Sequence, residues 1–206
     1  MSGEVADTSL RVVVLCGPNG AGKSTVAPRL LRGSLAVDEF VNADTIASGL
    51  SAFAPERVAM TAGRVMLARL DELEINRVSF AFETTLASRA FAPRLRRLTG
   101  GGYMVHLVYL WLPDADSAIA RVRERVRSGG HSVPEEVIRR RYAAGIRNFM
   151  ALYRPLTHYW RVVDNTGRGG PRLIAMGRAS QTSFISRQAL WRGFIAEGSR
   201  DQFPES

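Results

Sequence analysis

Residues 17–25 read Gly17-Pro18-Asn19-Gly20-Ala21-Gly22-Lys23-Ser24-Thr25 and match the pattern G-x-x-x-x-G-K-[ST] at every fixed position. The β-branched, apolar run Leu10–Cys16 precedes them, and Val26–Leu31 follows with a composition typical of a helix. Strand, glycine loop and helix are the setting of a P-loop, whose backbone N–H groups turn inward around phosphate oxygens. The stretch therefore predicts that residues 17–25 bind the phosphates of ATP.

Two side chains of this loop have specific expected roles. Lys23 is expected to contact the β- and γ-phosphates, and the Ser24 hydroxyl is expected to bind Mg²⁺. The chain contains 28 lysines and arginines, and Lys23 is its only lysine. Because arginine supplies the positive charge everywhere else, the compact ammonium group kept at this position favours a phosphate contact.

The composition indicates one globular unit, residues 1–206. Hydrophobic residues make up 46% of the chain and charged residues 23%, which is typical of globular domains. No run of about 18 apolar residues and no signal-peptide pattern is found, so we expect no membrane span. Cys16 is the single cysteine and cannot form an internal disulfide, which favours the reducing cytoplasm.

The net charge of +9 raises the question of a nucleic-acid partner. The arginines are dispersed along predicted helices and form no basic block of the nucleic-acid-binding type. We therefore expect a small-molecule acceptor, and nucleic acid is the less favoured partner.

Strand and helix patterns alternate along the chain, which predicts an α/β fold: a three-layer α/β/α P-loop NTPase with a mostly parallel sheet. Five to six strands are expected. We divide the chain into a core at 10–166, which includes a helical lid at about 114–145, and a C-terminal extension at 167–206. After the first strand, the predicted strands are 35–41, 78–82, 103–111, 160–165 and an edge strand at 173–176. The predicted helices are 55–76, 88–98, 113–128, 135–156 with a capping box at Ser132 and Glu135, and 182–196.

Two carboxylates follow predicted strands at the edge where a parallel sheet binds ligands. Asp44, next to Asn42, could accept the proton of an acceptor hydroxyl, or it could cap the helix that begins near Thr45. Glu83 could organise Mg²⁺ or simply end its strand as a polar residue. The spacing leaves both pairs of roles open. Thr84 and Thr85 add hydroxyl groups for the acceptor at the same edge.

Arginines of the predicted lid are candidates for phosphate contacts. Arg121 and Arg125 are four positions apart and so share one helical face, and Arg139–Arg141 open the next helix. Arg89 could bind an anionic part of the acceptor. Asn165 ends the last core strand and could contact the adenine edge or form a turn.

These segments together resemble the zeta toxin family of P-loop kinases. The resemblance covers about residues 10–166. It is carried by Gly17–Thr25, by Phe40-Val41-Asn42-Ala43-Asp44, by Phe82-Glu83-Thr84-Thr85, by Arg121–Pro134 with Arg139-Arg140-Arg141-Tyr142, and by Asp164-Asn165.

The resemblance implies an ATP-dependent kinase that phosphorylates a sugar nucleotide such as UDP-N-acetylglucosamine, and a possible antitoxin partner. It gives Lys23 the P-loop lysine role, Asp44 the role of catalytic base, and Glu83 a role in acceptor or metal binding. Arg121 or Arg125 would be the first lid arginine. His131 stands where the family has a second lid arginine, so Arg139–Arg141 are the alternative lid cations.

Two other functions are open on the sequence alone. A polynucleotide or nucleoside kinase, or an RNA-processing P-loop enzyme, would explain the positive charge through binding that weakens strongly with salt. A non-catalytic ATP-dependent switch would bind ATP without phosphorylating an acceptor.

Overall fold

The computed structural model describes residues 9–167 and 169–199. Within this part of the chain, apolar strands rich in valine, leucine and phenylalanine form one sheet of seven strands. Helices pack on both faces of it. The strands are β1 Arg11–Cys16, β2 Glu39–Val41, β3 Phe80–Thr84, β4 Met104–Trp111, β5 Tyr159–Asp164, β6 Arg172–Arg178 and β7 Gln181–Ile185. The helices are α1 Lys23–Arg29, α2 Ala43–Leu50, α3 Ala59–Ile75, α4 Phe91–Gly100, α5 Ala115–Arg127, α6 Glu135–Asn148 and α7 Gln188–Ser199.

The strand order is β2-β3-β1-β4-β5-β6-β7. The first five strands of this order are parallel, and β6 and β7 add antiparallel pairs at one edge. The central strand β1 lies between β3 and β4, so the P-loop after β1 and the polar end of β3 meet at the same sheet edge. The predicted α/β P-loop NTPase fold is confirmed.

The two faces of the sheet are buried by different helices. Alternate residues of β1 point to opposite sides: Val12 and Val14 belong to the larger core with α3, α4, α6 and α7, whereas Val13 and Leu15 pack with α1 and α5. The larger core contains an aromatic cluster of Tyr109, Phe149, Trp160, Trp191 and Phe194. None of the described helices is long and apolar enough to cross a membrane.

The sequence-based prediction was wrong in three places outside the central strands, and the described sheet has seven strands where five to six were predicted. Only Glu39–Val41 of the predicted strand 35–41 pairs with the sheet. A wide π-type helical turn occupies Leu30–Leu35 before it, and Ala36 is left-handed with φ of 50°. Leu35 and Val37 are buried against α1 and the sheet, so their burial there outweighs their tendency to form a strand.

The predicted terminal helix 182–196 is instead the strand β7 followed by α7. Thr182, Phe184 and Ile185 favour a strand, and the exposed edge of β6 supplies the partner for their backbone groups. The capping box at Ser132 and Glu135 is absent, because Pro134 occupies the N-cap position of α6 and no side chain caps that helix.

Candidate active site

The P-loop adopts a conformation that depends on its glycines. Gly17, Gly20 and Gly22 have φ of 137°, 77° and 80°, a region that side-chain-bearing residues avoid. A Cβ atom on Gly17 would lie 2.2 Å from the carbonyl oxygen of Leu110. The loop therefore lies directly against the backbone near the C-terminal end of β4, and substitution at Gly17 would displace the loop.

Lys23 is the first residue of α1 and its side chain is only 5% exposed. Its Nζ atom donates hydrogen bonds of 2.9 Å to the carbonyl oxygens of Gly17 and Pro18. It also lies 3.4 Å from Oε1 of Glu83. Three oxygen atoms thus hold the buried ammonium group over the P-loop. Phosphate oxygens would interact with this group in the same way.

Glu83 is the centre of a polar network between β1, β2 and β3. Glu83 lies within β3, beside Leu15 of β1 in the strand register, and not after the end of the strand as predicted. Its side chain points to the P-loop. Its Oε2 atom accepts hydrogen bonds of 2.8 Å from the Ser24 hydroxyl and from Nδ2 of Asn42. Asn42 Nδ2 also lies 3.1 Å from Ser24 Oγ. Strand pairing has brought three residues distant in sequence into one cluster.

The cluster suits Mg²⁺, a hard cation that prefers oxygen ligands and keeps several water molecules. The Ser24 hydroxyl and the Glu83 carboxylate supply such oxygens side by side. Asn42 contributes only its nitrogen here, because its oxygen is used elsewhere. Residues Ser24 and Glu83 would hold the ion, and a bound Mg²⁺ would offset negative charge on the phosphates of ATP.

The cap of α2 is Asn42 and not Asp44. The Oδ1 atom of Asn42 accepts hydrogen bonds from the backbone N–H groups of Asp44 and Thr45, at 2.7 and 3.3 Å, so Asn42 is the N-cap of α2. The Asp44 carboxylate is exposed and makes no hydrogen bond or ion pair with any described residue. It is therefore available to act on a ligand.

A cleft of about 480 Å³ contains this site. Most of the predicted acceptor residues line it together with the P-loop lysine, and α6 adds side chains that the prediction gave only as alternatives. A cleft of about 560 Å³ at the other end of β4 contains no residue of the P-loop. The lining residues that the sequence predicted are Asn19, Lys23, Asn42, Asp44, Glu83, Thr84 and Thr85, with Arg140 and Arg141 as alternatives, and those that the structure adds are Ala43, Ala87, Ser88 and Ala144.

Four predicted arginines do not line this cleft, and one of them, Arg139, pairs with Asp116 instead. Arg121 lies beside the P-loop, since a Cβ atom on Gly20 would be 3.1 Å from its own Cβ, and it donates a 2.8 Å hydrogen bond to the carbonyl of Thr166. Arg125 donates to the carbonyl of His131 at 2.7 Å and so holds the turn between α5 and α6. Arg89 is exposed.

Asn165 contacts the P-loop at Ala21 and Gly22. It is buried, its Nδ2 atom donates a 2.7 Å hydrogen bond to the carbonyl of Ala21, and a Cβ atom on Gly22 would lie 2.8 Å from the same nitrogen. The neighbouring Asp164 accepts hydrogen bonds from Thr166 and pairs with Arg187 at 3.1 Å. In this arrangement the Asn165 amide nitrogen positions the P-loop through one of its two N–H donors.

The loop that follows β3 forms one wall of the cleft and is fixed by α6. Leu86 is buried with φ of 57°, a left-handed conformation that is costly for leucine. Asn148 donates hydrogen bonds to the carbonyls of Leu86 and Ala87, at 2.8 and 3.0 Å. The Tyr153 hydroxyl donates to the carbonyl of Ser88 at 2.6 Å.

These anchoring residues could not be singled out from the sequence. The Tyr153 ring is fully buried in the larger core, and its hydroxyl has a second role. Burial raises the pKa of Tyr153 to about 12, so the hydroxyl keeps its proton and remains a donor at neutral pH. Burial likewise raises the pKa of the Cys16 thiol, which makes a nucleophilic role for that cysteine unfavourable.

Comparison with known proteins agrees with this architecture. An uncharacterized protein of Haemophilus influenzae is 29% identical over 132 residues, which are 64% of this chain and 92% of that protein. The AvrRxo1-ORF1:AvrRxo1-ORF2 complex contains a similar chain (TM-score 0.74, 15% identity, 96% of this chain and 67% of that one). So does the PezAT toxin–antitoxin system of Streptococcus pneumoniae (TM-score 0.66, 13% identity, 100% and 84%). At these identities the structural matches establish the fold alone.

A family model provides the assignment that the structural matches cannot. The model described as an AAA domain matches residues 12–144, more than half of the chain. This segment includes most of β1, the P-loop, the carboxylates of Asp44 and Glu83, and the first turns of α6. The chain belongs to the AAA domain family and has the fold of a P-loop NTPase.

Proposed function

We propose that this protein is an ATP-dependent kinase that phosphorylates a hydroxyl group of a small acceptor. The observation that carries the proposal is the position of Asp44: its unengaged carboxylate lines the same cleft as the buried P-loop lysine, Lys23. An enzyme that only hydrolysed or sensed ATP would not need an acceptor-sized cleft beside a free base. The family assignment and the P-loop fold support ATP as the phosphoryl donor.

The residues divide the chemistry between them. Asp44 accepts the proton of the acceptor hydroxyl as that oxygen bonds to the γ-phosphorus and the bond to the β–γ bridging oxygen breaks. Lys23 stabilises the charge that develops on the phosphoryl oxygens. Glu83 holds Lys23, Ser24 and Asn42 in place, and Thr84 and Thr85 offer hydroxyl groups to the acceptor.

The resemblance to zeta toxins makes UDP-N-acetylglucosamine the first acceptor to test. The matched AvrRxo1 structure is a complex of two proteins, and the matched PezAT structure comes from a toxin–antitoxin system. An antitoxin-like protein is therefore a candidate partner. We expect the reaction to occur in the cytoplasm, where Cys16, a buried free cysteine, would remain reduced.

The test is transfer of labelled γ-phosphate from ATP to a panel of UDP-sugars, free sugars, nucleosides and a 5′-hydroxyl oligonucleotide. Asp44→Asn should lower kcat by roughly 10²–10⁴-fold because the proton acceptor is lost, with the Kd for ATP unchanged. Asp38→Asn, which removes an exposed carboxylate outside the cleft, is the matched control.

Each result has a clear meaning. Transfer that survives Asp44→Asn would exclude this residue as the base. Label on the oligonucleotide alone would make the protein a polynucleotide kinase, and ATP binding without transfer to any acceptor would favour the switch. Lys23→Ala should lose both ATP binding and turnover, so retained turnover would contradict the P-loop assignment.

A further inference from the structure

Most arginines of α5 and α6 have a partner within the protein, and Arg121 and Arg125 donate to backbone carbonyls. The arginines on the outer surfaces are paired with carboxylates: Arg123 with Glu135, Arg127 with Glu124 and Arg139 with Asp116. Arg140 and Arg141 line the cleft, and neither has a carboxylate partner among the described residues. Two positive charges therefore face the cleft, and neither is paired with a described carboxylate.

The remaining charges of the cleft do not neutralise them. Glu83 is engaged by Lys23, Ser24 and Asn42. Asp44 shares the cleft with Arg140 but forms no ion pair with it. A ligand that brings its own negative charge would supply the missing counter-ions.

The two arginines point to different parts of the site. Nη1 of Arg141 lies 3.5 Å from Oδ1 of Asn19 in the P-loop. Arg140, Ala144 and Asn148 recur every four residues and so share one face of α6. Asn148 on that face donates to the carbonyls of Leu86 and Ala87, which places Arg140 on the face that meets the acceptor loop.

We propose that Arg140 binds an oxyanion carried by the acceptor, a phosphate or carboxylate group, while Arg141 serves the phosphates of the nucleotide. The inference rests on the proposed kinase function, since it assigns the second anion to the acceptor. A guanidinium group can bind either oxyanion through two parallel hydrogen bonds. Neutral sugars and nucleosides are then poor acceptors, because they leave Arg140 unpaired in the occupied cleft.

The first experiment measures binding without transfer. The full chain is saturated with Mg²⁺ and a non-hydrolysable ATP analogue, so the P-loop is filled, and is then titrated calorimetrically with UDP, inorganic phosphate or gluconate. Arg140→Gln should weaken binding of the phosphate-bearing or carboxylate-bearing probe by roughly 10- to 100-fold, the range for a hydrogen-bonded charge pair. The probe that loses most affinity identifies the oxyanion.

The neighbouring residue supplies the control. Arg139→Gln removes the same charge from the same helical turn, but from the surface that pairs with Asp116, and should change the affinity less than 3-fold. Arg140→Lys keeps the charge without the forked geometry and should give an intermediate loss. Equal losses in Arg139→Gln and Arg140→Gln, or no binding of any probe to the wild-type chain at millimolar concentration, would overturn the proposal.

A transfer assay separates this proposal from the kinase function itself. With UDP-N-acetylglucosamine, Arg140→Gln should raise KM at least 10-fold; with N-acetylglucosamine, KM should not change. Equal increases in KM for both acceptors would show that Arg140 does not bind the anionic group of the acceptor. Because the calorimetric arm needs no turnover, an absence of phosphotransfer would contradict the kinase function while leaving the anion site to be judged by the binding data.

Discussion

Gly145 provides a sharp test of how α6 positions the acceptor wall. A Cβ atom at this position would lie 2.6 Å from the carbonyl oxygen of Thr85 and 3.2 Å from the Tyr109 hydroxyl, whereas ordinary contacts begin at 3.4 Å. The first of these neighbours is backbone and cannot rotate away. Gly145→Ala must therefore move α6 or the Thr85 backbone by roughly 0.8 Å.

The energetic cost of that movement can be separated from helix propensity. Ala in place of Gly inside a helix gains about 1 kcal/mol, and overpacking costs about 1–3 kcal/mol. Gly63→Ala in α3 is the matched control, because a Cβ atom there meets nothing within 4 Å. The free energy of unfolding of Gly145→Ala should lie about 1–3 kcal/mol below that of Gly63→Ala.

Urea unfolding followed by circular dichroism measures the difference, with equal m-values confirming that both variants unfold alike. The shift of α6 should also lengthen the hydrogen bonds from Asn148 to the acceptor loop, so KM for the acceptor should rise in Gly145→Ala alone. Equal stabilisation of both variants would refute the close contact. Lower stability with an unchanged KM would refute the coupling of α6 to the acceptor wall.

Two further changes test the supports of the site. Asn165→Ala removes the hydrogen bond to the Ala21 carbonyl. The Kd for ATP should rise by roughly 2- to 10-fold, which is the effect of one net hydrogen bond. An unchanged Kd in a calorimetric titration would show that this hydrogen bond does not support ATP binding. Tyr153→Phe tests the raised pKa of about 12. The unfolded tyrosine ionises near pH 10 and the folded one near 12, so this group's stabilisation is complete below pH 10 and falls by about 1.4 kcal/mol per pH unit between them. Tyr153→Phe should lack that part of the alkaline loss, and the same slope in both proteins would contradict the assignment.

The fold could be predicted where local pattern and tertiary environment agree. The run Leu10–Cys16 is apolar on both faces because β1 is central, and the glycine spacing of the P-loop is fixed by backbone conformation. Segments at the margin of the sheet were less predictable. Thr182–Ile185 becomes a strand because β6 offers an unpaired edge, and no local pattern records that edge.

The sequence by itself predicted the P-loop with Lys23 and Ser24, and it predicted that Asp44 and Glu83 lie near the ends of strands at the same sheet edge. Only the tertiary structure decided which side chains from distant segments meet in the cleft. The pairing of β2 with β3 brought the Asn42 amide nitrogen to Glu83, and the helix whose Gly145 packs against Thr85 presents Arg140 to the cleft. Such choices depend on contacts between residues far apart in the chain, whose geometry is set by packing rather than by local propensity.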